Sequence, residues 1–203
     1  METLENVLNS PKKKMSRNDL IETILMIIQR ILDYTSSLDQ RTPSLFDKNY
    51  IKQEFGSDKL STSCSSNDET SNIVDIDKEN NYSLNDYLYF WVEKLEFNEN
   101  LLILTMMNID KLLSNEFILT NDNIKKILFT CMVITQKIYE DENFNDKDYA
   151  KLLEISAEDL INMEIKFLEY TDFSLYVSEE EFLEYKKKMS KMWKDAFSYI
   201  SFD

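Results

Sequence analysis

A single glycine, Gly56, and two prolines, Pro11 and Pro43, interrupt a chain of 203 residues. Glycine and proline are the residues that break helices, and Leu, Ile, Met, Lys and Glu, which favour them, dominate the rest. The chain is therefore expected to be all-α. With 43% hydrophobic residues it has enough apolar material for one domain with a real core and too little length for two.

The same scarcity excludes chemistry. Phosphate-cradling loops need several glycines, and most acid–base and zinc sites use histidine, of which there is none. No catalytic residue, cofactor or metal ligand is expected. The acidic loop 140–148 invites a calcium reading, but Asp146 stands where such a loop needs glycine and Leu152 where it needs glutamate. Cys64 lies in a Ser-rich stretch and Cys131 inside an apolar run, contexts too different for a disulfide framework, so Cys131 reads as a core residue.

A net charge of -15, from 38 acidic against 23 basic residues, works against a phosphate backbone, as does the lack of a basic stripe, so nucleic acid is not expected as a partner. No apolar run approaches the roughly 18 residues of a spanning helix, and no signal-peptide pattern opens the chain. No membrane is expected, and the location implied is cytoplasmic, nuclear or both.

Periodicity divides the chain. After a flexible tail, 1–15, a first helix is predicted over 16–34, where Ser16 and Asp19 have capping-box spacing and Leu20, Ile24, Ile27, Ile28 and Ile31 repeat on one face. Residues 51–81 turn to Ser, Asn, Asp and Thr and read as a flexible insertion. Helices are then predicted over 83–95 (opened by Ser83 and Asp86), 99–113 and 121–139, the last with Thr120 as N-cap and apolar on nearly all sides. A short helix through Tyr149, Leu152 and Leu153 follows, and Ser156 with Asp159 opens another that ends near Tyr170. A final helix is predicted over 179–199.

The five-helix block 83–170 includes a buried central helix, an outline that many helical bundles share; the strings at 41–46, 82–88, 108–112, 120–128, 136–141, 148–151 and 160–168 narrow it, and they resemble the P/U-type cyclin family, whose fold is a single cyclin box. The similarity begins at Arg41-Thr-Pro-Ser-Leu-Phe46 and continues through Tyr82-Ser-Leu-Asn-Asp-Tyr-Leu88 and Asn108-Ile-Asp-Lys-Leu112. It is densest at Thr120-Asn-Asp-Asn-Ile-Lys-Lys-Ile-Leu128, Gln136-Lys-Ile-Tyr-Glu-Asp141, Asp148-Tyr-Ala-Lys151 and Leu160-Ile-Asn-Met-Glu-Ile-Lys-Phe-Leu168, in family order and spacing. The resemblance covers roughly 82–175 and implies a single box between a first helix with its entry segment (16–50) and a C-terminal helix (176–203).

It further implies a regulatory subunit, not an enzyme, that binds and activates a cyclin-dependent protein kinase through the kinase's C-helix and N-lobe. Lys137 and Glu164 are then the charged pair facing the C-helix, with Ile138, Leu168 and Phe173 forming the apolar part of the contact. The residues add independent support at Glu164, which falls in the stripe Leu160, Met163, Phe167, Leu168, where a carboxylate needs a partner.

Two departures stand out. The family's aspartate, matched by Asp110, usually pairs with an arginine on the first box helix, and Phe90 occupies that position here. Asp110 is then expected to meet a backbone group, Lys111 or solvent. A glycine pair is replaced by Leu152, Leu153 and Glu154, so that turn should be more helical. These departures keep open a second reading, a degenerate cyclin-fold scaffold that binds a protein without activating a kinase. Ser10-Pro11-Lys12-Lys13 has the form of a proline-directed phosphorylation site overlapping a minimal nuclear signal, and Lys78-Glu79-Asn80 that of a degradation box.

Overall fold

The computed structural model describes residues 15–41, 83–141, 144–153 and 155–197. The helices are α1 (Arg17–Arg41), α2 (Leu84–Lys94), α3 (Glu99–Ser114), α4 (Ile124–Tyr139), α5 (Asp146–Leu152), α6 (Ala157–Tyr170) and α7 (Glu179–Phe197), and no strand occurs among the described residues. Most of the entry segment, the insertion with Cys64, and the Ser10-Pro11 and Lys78-Glu79-Asn80 motifs lie outside them.

Local chemistry sets most helix starts. The Ser16 hydroxyl accepts from the Asp19 N–H at 3.2 Å while the Ser16 N–H donates to Asp19 Oδ2 at 2.8 Å, a reciprocal box that satisfies two otherwise orphaned donors. Ser83 and Ser156 accept in the same way from the N–H of Asp86 and Asp159. Ser178 and Glu181 form a fourth box at the head of α7, which the sequence reading did not identify. Each cap contributes about 1 kcal/mol.

Two boundaries differ from expectation. α1 runs on to Arg41, past the predicted end at Tyr34, because nothing between Tyr34 and Pro43 breaks a helix. α4 starts at Ile124 and Thr120 is not its cap. Buried Asn123 bonds backward instead, accepting from the Thr120 N–H at 2.8 Å and donating to the Ile118 carbonyl at 2.9 Å, so residues 121–123 form a turn.

α4 is the central helix, with Ile124, Ile127, Leu128, Phe129, Met132 and Val133 all buried. It packs most extensively on α3 and also against α6 and α2, while α5 lies on α6. Cys131 is a buried free thiol in this core; its Sγ donates to the Thr105 carbonyl, and burial pushes its pKa up. The ring of Trp91 meets Phe129 edge-on at 4.5 Å, and Phe90, standing where the family has arginine, packs edge-on against Trp91 at 5.0 Å.

The terminal helices share one side of the box. α1 lies on α2 and α3 through Leu20, Ile21, Ile24, Ile28 and Leu32, and α7 lies on α1 and α3 through Met189 and Trp193. Asp110 is not left to solvent, Lys111 or a backbone group: the Tyr185 hydroxyl of α7 donates to its Oδ2 at 2.7 Å.

Candidate functional site

Lys137 stands in the last turn of α4, Asp146 opens α5, and Glu164 lies midway along α6. The packing of α4 on α6 brings the lysine and glutamate together, and the α5–α6 pair adds the aspartate. Lys137 Nζ donates to both oxygens of Glu164, at 2.6 and 2.8 Å, and to Asp146 Oδ1. It also lies over the ring of Tyr149, 5.7 Å from the centroid.

Burial differs among the three. The side chain of Glu164 is 14% exposed and that of Lys137 25%, whereas Asp146 is 43% exposed. Burial disfavours the charged form of both members of the inner pair. For Glu164 this desolvation outweighs the pull of Lys137 and holds its pKa above the usual carboxylate value. For Lys137 burial pulls the pKa down, but the hydrogen bonds to Asp146 and Glu164 overcome it, and the ammonium is held more firmly than an ordinary lysine. With two carboxylates against one ammonium the cluster carries one net negative charge.

Beneath it, Gln136 fixes the end of α4. Its amide donates to the Leu95 carbonyl at 2.9 Å and its oxygen accepts from the Tyr149 hydroxyl at 3.0 Å, tying α4 to the end of α2 and to α5. The charged group is therefore mounted on a buried, hydrogen-bonded base.

Apolar side chains neighbour the cluster along α4 and α6 and just after α6. Ile138 is 48% exposed and Phe173 68%, while Leu168 is half-buried against the core. Phe173 follows α6 in a tight turn: its N–H donates to the Leu168 carbonyl at 2.8 Å, and its φ of 55° lies in the left-handed region. The structure thus brings Lys137 and Glu164 into contact, with Ile138 adjoining the pair on α4 and Leu168 one turn beyond Glu164 on α6, followed by Phe173.

Three contributors were missed in the sequence. Asp146 was read only as a misfit in a calcium loop. Ile161 and Ile165 are exposed and, with Leu168, repeat at i, i+4, i+7 beside Glu164. The stripe Leu160, Met163, Phe167, Leu168 contains the core side of α6, buried at Leu160 and Phe167, and a second apolar stripe on the same helix is the signal for Ile161 and Ile165. Among the described residues no group of three or more His, Cys, Asp and Glu side chains is placed to hold a metal ion, and no helix is long and apolar enough to cross a membrane.

Comparison with known proteins bears on the fold and the site together. Residues 48–176 match the family model described as the cyclin N-terminal domain. The chain is similar to PHO85 cyclin-7 of Saccharomyces cerevisiae, 35% identical over 79 residues that make up 39% of this chain and 28% of that protein. It is also similar to cyclin-U1-1 of Arabidopsis thaliana, 36% identical over 63 residues (31% of this chain, 30% of that one), and to cyclin-U2-1 of the same plant, 31% over 85 residues (41% and 38%). The matched stretches thus span at most 38% of the length of these relatives. The family match takes in more than half of the chain and all of α2 to α6, and the chain belongs to the cyclin family, in its P/U-type group.

Proposed function

We propose that this protein is the regulatory subunit of a cyclin-dependent kinase and activates it through the surface built around Lys137 and Glu164. One observation carries the reading: a charged pair held rigid at the joint of α4 and α6, bordered by exposed Ile138, Ile161, Ile165 and Phe173. Several large apolar side chains left exposed beside one charged pair, on a domain that buries its core well, are characteristic of a binding surface.

A kinase of this class needs its C-helix swung inward so that its own Lys–Glu pair can position ATP. A rigid surface that binds only the inward state shifts the equilibrium by its differential affinity. In this reading Ile138, Ile161, Ile165, Leu168 and Phe173 supply apolar burial against the C-helix and N-lobe, and the Lys137–Glu164 pair sets the register by meeting complementary polar groups. The protein performs no chemistry itself.

The test is reconstitution. The full chain is combined with each cyclin-dependent kinase of its organism, complex formation is read by size-exclusion chromatography, and phosphorylation of a histone-type substrate is measured. A stable, active complex that the Lys137→Ala/Glu164→Ala variant weakens supports the reading. A stable complex without activity turns it into the scaffold, a role that the replacement of the family's arginine by Phe90 makes concrete. A folded chain that neither binds nor activates any kinase overturns it in favour of a scaffold for another protein.

A further inference from the structure

α7 segregates its charge. Glu179, Glu180 and Glu181 open it, and the nine residues 186–194 then hold five lysines and no carboxylate, in a chain whose net charge is -15. The buried side of this stretch is apolar: Met189 and Trp193 pack toward α1 and α3. Anchoring by those two leaves the lysines to solvent. Lys187, Lys188, Lys191 and Lys194 are all exposed. The helix thus bears a basic face that the sequence reading, which found no basic stripe, overlooked.

These lysines are not all spent on internal pairs. Lys188 bonds Glu184 at 2.9 Å and Lys186 bonds Asn100 at 3.2 Å. Lys187, Lys191 and Lys194 make no hydrogen bond with any described residue, though the charge of Lys187 acts on Glu184 one turn before it. Their i, i+4, i+7 spacing places them in one row along the helix, about 6 and 4.5 Å apart along its axis.

We propose that this row is a docking surface for an acidic segment of a partner protein, a run of Asp and Glu side chains lying extended along α7. Residue type and charge select that occupant. Lysines spread along a line meet separate carboxylates one by one, whereas a single phosphate is best held by convergent donors of the arginine type. A nucleic acid would run past the end of the row onto a strongly acidic protein, and repulsion there opposes it. A short acidic peptide stays within the row, and the acidic first turn of α7 marks where it must stop.

The row is remote in the fold from the Lys137 cluster, since α7 packs on α1 and α3 and the cluster is built by α4, α5 and α6. Both surfaces can be occupied together, so the row would serve to recruit a partner to the subunit.

The test uses the full chain and a fluorescein-labelled peptide of alternating Asp and Ser, roughly five residues long so that its carboxylates stay close to the length of the row, with fluorescence anisotropy as the readout. Lys191→Glu/Lys194→Glu is compared with Lys147→Glu/Lys151→Glu, which reverses two exposed lysines on α5 and changes the net charge equally. Wild type and the α5 variant should bind the peptide alike, and the α7 variant should bind about tenfold more weakly or worse. Urea unfolding midpoints confirm that both variants are folded. The proposal fails if wild type does not bind, if both variants lose affinity equally, or if a single-stranded oligonucleotide of equal charge binds the row more tightly.

Discussion

The Tyr185 hydroxyl donates to Asp110 Oδ2 over 2.7 Å, joining α7 to α3 across 75 residues of sequence. Burial pushes the Asp110 carboxyl above its usual pKa, the hydrogen bond from Tyr185 partly opposing the shift, and pushes the Tyr185 phenol far up. Tyr185→Phe removes the donor and leaves a partly buried carboxylate without it. A loss of about 1–2 kcal/mol is expected, read as a lowered urea midpoint.

The same carboxyl makes stability depend on pH with a definite sign. A raised acid is protonated more readily in the folded chain than in the unfolded one, so its favourable contribution is complete below the unfolded pKa and is lost as pH rises through the folded value. Wild type should therefore lose stability through a window starting near the ordinary aspartate range and extending above it. Asp110→Asn keeps an oxygen to accept from Tyr185 and removes the titration. The difference in unfolding free energy between the two should shift toward the variant as pH rises from about 4 to 7.

Within the charged cluster, Lys137→Met strands the nearly buried Glu164 and is expected to destabilise the fold by about 2–3 kcal/mol. Asp146→Asn should cost under about 1 kcal/mol, because Asp146 is far more exposed. Adding Glu164→Leu to Lys137→Met should recover most of the loss. A double-mutant cycle by urea denaturation would show coupling between Lys137 and Glu164 of about 1–3 kcal/mol.

Phe173 separates binding from stability. Its φ of 55° disfavours any residue with a Cβ, so Phe173→Gly should raise the unfolding midpoint by the equivalent of up to about 1 kcal/mol. The same change deletes an exposed aromatic of the proposed kinase-facing surface. Kinase affinity measured by calorimetry should fall about tenfold or more while thermal stability rises.

Gln136→Leu is expected to be among the most damaging single changes. It leaves the Leu95 carbonyl and the Tyr149 hydroxyl without their buried partner, a loss of about 2–4 kcal/mol. Circular dichroism during urea unfolding would record it.

Much of the helical layout was legible because its causes are local. The serine boxes at Ser16, Ser83 and Ser156 lie within four residues, and the buried character of 127–134 is written in a run of apolar residues broken only by Thr130. Thr120 misled because its competitor, Asn123, is chosen by burial against the 118–120 connection, which no local pattern states. The site was legible in part. Matched strings implied Lys137 and Glu164, but nothing in the sequence joined Asp146 to them, and Ile161 and Ile165 emerged as a surface only once Leu160 and Phe167 had claimed the core side of α6.

What the amino-acid sequence determined by itself is where most helices start and how they turn their apolar faces, since capping, propensity and periodicity act within one or two turns. The tertiary structure decided how those faces meet. It placed α1 and α7 side by side on the box, gave Asp110 a tyrosine partner, and set carboxylates from two other helices around the Lys137 nitrogen. Such pairings depend on the crossing and rotation of whole helices, which are fixed by the packing of the entire core and by no short stretch of the chain.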